Sequence, residues 1–456
     1  MTFRLQKTAD ADFFKRLAVI TVPAILQLLL NSSRVLIDTL MIAQLGDNTV
    51  AAVGAAGKPF FVMLVMLLGL SGGTGILASQ YWGEKNIEGV RKSIILSVLL
   101  SSFIVIPSFL LFRFAPHSVV KLAAKDSEVI TMGREYLSII SFNLICQAVI
   151  LPLYSGLRSI NEAIKCTIFG VIGVIINITL NYLLIFGNFG FPELGLKGAA
   201  IATRTSILIE AVLLVSYLGF SGHILMPKIN SFINIFNLAD IKHFVKITLP
   251  VVVNGLVWAG GIYIYFIIYG NMGSRELAVM TVLSPLESFC VAFFGGIGIG
   301  AGVMLGHHLG RRDFQKAWRE SWVFVVISFL TAIILAVCLF AIKGKLLHLF
   351  HKLDPETLIM AGEAYIIFLL LLLFKSINVV VIIGVLRSGG DTRFCLYLDA
   401  GCQWLVGIPL GFLGAFFWKL PLKWVFALVI TEEFVKIFIC LHRMYSRRWM
   451  KNLTSG

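Results

Sequence analysis

Apolar runs long enough to cross a membrane, separated by short polar connectors, recur from one end of the chain to the other. A helix that crosses about 30 Å of hydrocarbon needs roughly 20 apolar residues. Because lipid offers no partners to backbone polar groups, each run is predicted to be a helix rather than part of an open sheet. We expect twelve spans, at residues 17–44, 54–80, 93–114, 133–155, 165–188, 196–220, 244–269, 277–306, 320–342, 358–386, 394–417 and 423–443. The pattern predicts an all-α polytopic membrane protein.

The second half of this pattern repeats the first. Pro23 opens the first span and Pro250 the seventh, and Leu157-Arg-Ser recurs as Leu386-Arg-Ser, so matching residues lie about 227 positions apart. Each half has an even number of spans, so both copies share one orientation, as two pseudo-symmetric six-helix bundles with the transport site at their interface. We predict an N-lobe with helices 1–6 at 1–220, a cytoplasmic linker at 221–243, and a C-lobe with helices 7–12 and a basic tail at 244–456.

Composition and charge support this class of protein. Of the 456 residues, 58% are hydrophobic and only 14% are charged, and the mean hydropathy is +0.91. The net charge of +14 comes from basic residues in alternate connectors, which predicts a multi-pass protein of the cell (inner) membrane with both termini in the cytoplasm. The basic residues are too scattered to indicate nucleic-acid binding. The seven cysteines form no CxxC pair and are interpreted as small hydrophobic residues.

Ionisable and amide side chains inside the spans are the candidates for chemistry, because burying such groups in lipid is costly. Asp38 lies in the first span, Asn177 and Asn181 lie on one face of the fifth, and Thr203 lies in the sixth. Their oxygens suit Na⁺, or a proton relay through Asp38, and no other metal is expected. Two alternatives stay open: Arg34 and Asp38 are i,i+4 neighbours that can form a structural ion pair, and polar side chains also hold membrane helices together.

Other charged residues at membrane depth give weaker hypotheses. Glu287 follows Pro285, where a helix break would expose backbone to a cavity. Lys375 in the tenth span is either paired or extended toward the interface. Glu432 and Lys436 have the spacing of a structural ion pair within one helix.

Two glycine-rich stretches, Gly69–Gly75 and Gly295–Gly302, occupy equivalent places in the repeat. Neither ends in the Gly-Lys-Ser/Thr of a phosphate-binding loop, which excludes ATP hydrolysis by this chain. Small residues in spans instead predict close helix approach.

With these residues in view, the chain resembles the multidrug and toxic compound extrusion (MATE) family, in its bacterial NorM/DinF-like branch, over essentially its whole length. The matching segments are Asp38-Thr-Leu-Met…Leu45-Gly46, Gly83-Glu-Lys-Asn, Asn177…Asn181, Gly198-Ala-Ala-Ile-Ala-Thr203, Leu386-Arg-Ser-Gly-Gly-Asp-Thr392 and Arg447-Arg-Trp449. The resemblance implies two six-helix lobes around a central cavity and export driven by a cation through rocking between two access states.

The resemblance also implies roles for individual residues. Asp38, Asn177, Asn181 and Thr203 match the cation-coupling region of the family's first lobe. Asn181 replaces an aspartate of some relatives, so H⁺ and Na⁺ both remain candidate coupling ions. In the second lobe, Trp258 and Ser376 stand where some members carry a glutamate and an aspartate, which argues against a second cation site.

Three functional hypotheses remain. The first is antiport of amphipathic, often cationic, organic compounds by a monomer without cofactors, with aromatic and sulfur side chains lining the cavity. The second is a flippase for a lipid-linked precursor, which needs a basic cavity and for which Arg34, Arg204 and Lys375 are available. The third, a membrane-embedded enzyme, lacks the convergent acid or metal motifs that it needs. Candidate cavity residues are Phe60, Phe61, Met63, Met66, Phe142, Trp258 and Glu287.

Overall fold

The computed structural model describes residues 10–226, 237–348 and 354–454, and over these ranges the chain is helical without strands. The predicted linker at 221–243 therefore lies partly outside the described residues. Each predicted span corresponds to one long helix. These long helices are α1 Ala11–Ala43, α2 Asp47–Gly83, α3 Ile87–Phe114, α4 Ser127–Ser159, α5 Ala163–Phe186, α6 Gly195–Phe220, α7 Leu238–Met272, α8 Ser274–Gly310, α9 Phe314–His348, α10 Pro355–Leu386, α11 Thr392–Phe417 and α12 Leu422–Tyr445.

The twelfth helix differs from the others in composition. Among the described residues, the eleven helices α1 to α11 are long and apolar enough to cross a membrane. Helix α12 has 24 residues, which corresponds to about 36 Å at 1.5 Å per residue and is also sufficient. It carries Glu432, Glu433 and Lys436, all of them buried. The prediction of an all-α polytopic membrane fold is confirmed. Helix α12 differs from an ordinary apolar span because it contains these buried charged residues.

Contacts along the chain define two compact units. The N-unit is Leu26–Val252, and the C-unit consists of Met1–Ile25 together with Val253–Gly456. The first part of α1 thus belongs to the C-unit and the first part of α7 to the N-unit. The core of the N-unit is formed by α2 to α6, and that of the C-unit by α7 to α12. The lobe boundaries proposed from the sequence remain a prediction.

Within the N-unit, the first part of α7 packs directly on the glycines of α2. A Cβ atom on Gly69 would lie 2.6 Å from the Cα of Val252, and one on Gly73 would overlap Thr248. Any larger residue would push the two helices apart, so glycine is required here.

The C-unit contains the equivalent contact. Gly296 and Gly300 of α8 face Ile25 and Thr21 of α1, again with no room for a Cβ atom. Gly296 and Gly300 lie 227 positions after Gly69 and Gly73 of the N-unit contact. Ile25 and Thr21 lie 227 positions before Val252 and Thr248. The glycine stretches therefore serve the close helix approach expected from the sequence.

The turns repeat as well as the helices. Lys85 and Arg312, which lie 227 positions apart, have φ values of 63° and 62°. These left-handed conformations are unfavourable for residues with a Cβ atom, so their recurrence at matching turns is not a matter of chance. The repeat seen in the sequence extends to the backbone path of the connectors.

Two helices contain wider π-helical turns, at Val380–Leu386 in α10 and at Gln403–Gly407 and Leu413–Phe417 in α11. Such turns are rare and often mark functional positions. Pro285, in contrast, does not break its helix, because α8 continues from Ser274 to Gly310. The helix break suggested there by the sequence was wrong.

Candidate functional site

In the N-unit, helices α1, α5 and α6 bring the four predicted coupling residues together as two adjacent pairs. The Asn181 amide nitrogen donates a hydrogen bond to Asp38 Oδ1 at 2.5 Å. One helical turn earlier, the Asn177 amide nitrogen donates to Thr203 Oγ1 at 3.3 Å. Both asparagines are fully buried. Among the described residues, neither Asn177 Oδ1 nor Asn181 Oδ1 has a hydrogen-bond partner.

These unpaired oxygens give the site its chemical character. A buried acceptor without a partner costs about 1–3 kcal/mol, so two of them one helical turn apart, on asparagines that contact Asp38 and Thr203, form an unusual arrangement. Carboxylate, amide and hydroxyl oxygens are the donors that a hard cation prefers. The residues present therefore fit a small cation such as Na⁺, and Asp38 is the group among them that can take up a proton.

Arg34 does not neutralise Asp38 through the ion pair that the i,i+4 spacing suggested. Its guanidinium lies 4.0 Å from Glu210 Oε2 and donates to Ser206 Oγ at 2.5 Å. Glu210 in turn accepts a hydrogen bond from the Tyr154 hydroxyl at 2.7 Å. Arg34 is thus engaged with α6, and the hydrogen-bond partner of Asp38 is Asn181.

The predicted cavity residues of the N-unit have packing partners. Phe60 and Met63 pack against the N-unit core, and the Ser108 hydroxyl donates to the Met63 sulfur at 2.9 Å. The Arg204 guanidinium lies 4.2 Å from the centre of the Phe142 ring, which is a cation–π distance. A role for Phe60, Met63 and Phe142 in substrate binding remains a prediction.

The C-unit encloses a cavity of about 250 Å³ between α7, α8, α10, α11 and α12. The two C-unit residues predicted from the sequence, Trp258 and Glu287, both line it. Its other walls combine aromatic and charged side chains, among them Tyr265, Tyr269, Phe426, Lys375, Glu432 and Glu433.

Two lysines form the ion pairs around this cavity. Lys375 pairs with Glu287, so the sequence alternatives for this lysine resolve in favour of pairing. Lys436 Nζ lies 3.2 Å from Asp399 Oδ1 and 3.8 Å from Glu433 Oε1. The ion pair predicted between Glu432 and Lys436 is not formed, because Lys436 turns toward α11.

Glu432 instead accepts a hydrogen bond of 2.5 Å from the Tyr265 hydroxyl. The sequence predicted a pair with Lys436 for Glu432 and gave no sign of Tyr265 as its partner. Tyr265 lies 227 positions after Asp38, so it occupies the equivalent place in the repeat. The two halves thus place different chemistry at matching positions.

Two six-helix repeats with buried polar centres, one in each unit, define a polytopic α-helical membrane protein with an internal duplication. A family model, MatE, matches residues 23–183 and 250–413. The chain therefore belongs to the MatE family, as its resemblance to NorM-like proteins indicated.

Individual relatives cover nearly the whole chain. The uncharacterized transporter YisQ of Bacillus subtilis (strain 168) is 25% identical over 452 residues, which are 98% of this chain and 97% of YisQ. A probable multidrug resistance protein NorM of Mannheimia succiniciproducens is 24% identical over 407 residues, 88% of this chain and 85% of NorM.

Solved structures show the same fold. The outward-facing conformation of a multidrug resistance MATE family transporter of the MOP superfamily superposes with a TM-score of 0.88 at 16% identity, covering 97% of both chains. A crystal structure of MATE in complex with MaL6 gives a TM-score of 0.86 at 17% identity, again covering 97% of both chains.

Proposed function

We propose that this protein is a secondary active transporter that exports amphipathic, cationic organic compounds in exchange for H⁺ or Na⁺. The family and the relatives named as multidrug resistance proteins support multidrug efflux. We also propose a monomer in the cell (inner) membrane with both termini in the cytoplasm and no catalytic activity. The observation that carries the coupling proposal is the contact of the Asp38 carboxylate with Asn181, whose amide oxygen, like that of Asn177 one turn earlier, has no hydrogen-bond partner among the described residues.

The coupling mechanism follows from the contacts of Asp38. Because Arg34 is engaged with Glu210, the Asp38 carboxylate keeps its capacity to bind a proton or cation. A bound cation would be held by Asp38 with the amide oxygens, at the place where α1 meets α5. A ligand shifts two access states only by its differential affinity for them. Cation and substrate therefore act in opposite directions on one rocker-switch equilibrium.

The test is gradient-driven efflux of ethidium from proteoliposomes, with pH and Na⁺ gradients imposed separately. Asp38→Asn keeps the side-chain size and removes the charge, and should reduce efflux at least about tenfold. A matched control is Asp12→Asn, the same change on the same helix at a side chain that is 72% exposed. Whichever gradient drives the wild type identifies the ion, and undiminished transport by Asp38→Asn would contradict the mechanism.

The flippase alternative depends on basic side chains available to an anionic lipid precursor. Arg34 is paired with Glu210 and Lys375 with Glu287. Arg204 lies over the Phe142 ring. These contacts favour the exporter. If neither gradient moves any cation through folded protein, the flippase becomes the better hypothesis.

A further inference from the structure

We propose that the cavity of the C-unit is a binding site for the positively charged group of an organic ammonium compound, with Glu432 as its counter-ion. The inference deepens the proposed function, on which it rests for the class of substrate. In this proposal the positive charge of the substrate is bound by a residue of α12, which is separate from the coupling residues of the N-unit.

The charges around the cavity leave one carboxylate without a basic partner. Four acidic groups and two lysines form this cluster, and their ion pairs join Lys375 to Glu287 and Lys436 to Asp399 and Glu433. Among the described residues, no basic side chain lies within 4.0 Å of Glu432, and its hydrogen bond comes from the neutral Tyr265 hydroxyl. A buried carboxylate needs a compensating positive charge, and a cationic ligand supplies one.

A second, independent feature also calls for a ligand. Gln403 lines the cavity and is only 2% exposed, yet its Oε1 atom has no hydrogen-bond partner among the described residues. Its amide nitrogen is already used, donating to the Trp258 carbonyl at 3.3 Å. The free oxygen is suited to accept a hydrogen bond from an N–H group of a bound ammonium compound.

The backbone leaves space for both groups. Gln403 and Gly407 begin and end one π-helical turn of α11. A Cβ atom on Gly407 would overlap the Tyr265 hydroxyl and lie 2.5 Å from Glu432 Oε2, and one on Gly261 would overlap the Gln403 amide. These two glycines allow the polar groups to pack directly against the helix backbones.

The remaining walls favour an aromatic or hydrophobic cation over a hydrated inorganic one. Trp258, Tyr269 and Phe426 contribute ring surfaces, and the volume of about 250 Å³ suits a small organic molecule rather than a single ion. Aromatic faces attract cations when water is excluded. Apolar contact with the same rings would bind the body of the ligand.

The experiment measures equilibrium binding to purified wild-type protein in detergent, without any gradient, by fluorescence titration. Ethidium is the cationic probe and Nile red is a neutral probe. Glu432→Gln should weaken ethidium binding about tenfold or more, as expected for loss of a buried charge-assisted contact, and leave Nile red binding unchanged. The proposal would be overturned if Glu432→Gln bound ethidium as tightly as the wild type does, or if it lost affinity for ethidium and Nile red equally.

Three further variants complete the design. Val291→Phe fills the cavity without changing its charge and should weaken the binding of both probes. That result would show that both probes bind in the cavity. Glu363→Gln alters an exposed carboxylate paired with Lys423 and should affect neither. If Glu432→Gln does not fold, Tyr265→Phe retains the charge and removes its hydroxyl donor, so ethidium binding should persist or tighten; its loss would contradict the proposal.

The two proposals are tested by different measurements. Gradient-driven efflux by Asp38→Asn tests the coupling proposal, whereas ethidium binding by Glu432→Gln without any gradient tests this one. If Glu432 binds only protons, Glu432→Gln will bind ethidium normally, and the inference fails although the exporter function stands.

Discussion

Asn177 lowers the stability of the fold while contributing an oxygen to the candidate cation site. Its buried amide oxygen has no partner among the described residues, and such an acceptor costs about 1–3 kcal/mol of folding free energy. Asn177→Leu removes the unpaired oxygen at similar volume. We expect the variant to unfold in detergent at a temperature equal to or above that of the wild type, while ethidium efflux in proteoliposomes falls at least about tenfold. Destabilisation with normal efflux would show a purely structural role.

Glu162 gives a pH-dependent prediction outside the membrane-spanning segments. It lies between α4 and α5, 2.9 Å from Lys165 Nζ and 2.7 Å from His223 Nε2. Burial raises the pKa of Glu162, but hydrogen bonds from Lys165 and His223 outweigh this effect and hold the pKa below its ordinary value. A depressed carboxylate pKa stabilises the fold above the unfolded value of about 4.3 and loses that contribution as the pH falls through the folded value.

Glu162→Gln should therefore lower the unfolding temperature slightly at pH 7, because a partly exposed pair contributes only about 0–1 kcal/mol. The difference from the wild type should shrink as the pH falls below the unfolded value of about 4.3. Thermal unfolding of both proteins between pH 5 and pH 3 measures this, and a difference that grows over that interval would contradict the assignment.

At the scale of single residues, the sequence identified polar positions better than their partners. The i,i+4 rule placed Asn177 and Asn181 on one helix face, where the structure has them. The same rule paired Arg34 with Asp38, although its guanidinium is engaged by Glu210 of α6. Helix spacing describes neighbours along one helix, whereas a buried charge takes whichever partner the bundle brings closest. Without tertiary structure, that partner cannot be predicted.

At the scale of elements, the glycines of α2 and α8 set the distance to α7 and α1. Gly73→Ala places a methyl group against the Thr248 side chain, whose nearest atom is its methyl carbon. Overpacking of this kind destabilises by about 1–3 kcal/mol. We expect a lower unfolding temperature for Gly73→Ala and partial recovery in Gly73→Ala/Thr248→Ser, because serine lacks that methyl group.

Gly57→Ala is the matched control, since no atom lies within 4 Å of its would-be Cβ. If it destabilises the protein as much as Gly73→Ala, helix packing at Thr248 is not the cause. The sequence marked both glycine stretches as sites of close approach. It did not reveal that each stretch receives the opening helix of the other repeat, because that contact spans more than 170 residues.

At the scale of the whole molecule, the duplication preserves the backbone more faithfully than the chemistry. Helices, turns and glycine contacts recur with an offset close to 227 residues, and this regularity made the fold predictable from the sequence. The polar centres have diverged, since Asp38 in one copy corresponds to Tyr265 in the other. The C-unit cavity could not be deduced from the repeat, because its charged residues come from helices whose N-unit counterparts carry other side chains.

The same regularity predicts the membrane topology. With twelve crossings and cytoplasmic termini, the connectors after α2 and α8 face the cytoplasm, and those after α5 and α11 face outward. Four exposed positions form equivalent pairs: Glu88 with Gln315, and Phe191 with Trp418. The background for single cysteines is Cys338→Ser, because the other six native cysteines are buried or half-buried.

In intact cells, a membrane-impermeant maleimide should label cysteines at 191 and 418 and reach those at 88 and 315 only after permeabilisation. Both members of each pair must behave alike, because copies with an even number of crossings share one orientation. Labelling of 88 and 315 from outside would reverse the topology and leave the duplication intact. Opposite behaviour within a pair would mean that an odd number of helices crosses the membrane between its two members, so at least one helix from α3 to α11 would not cross.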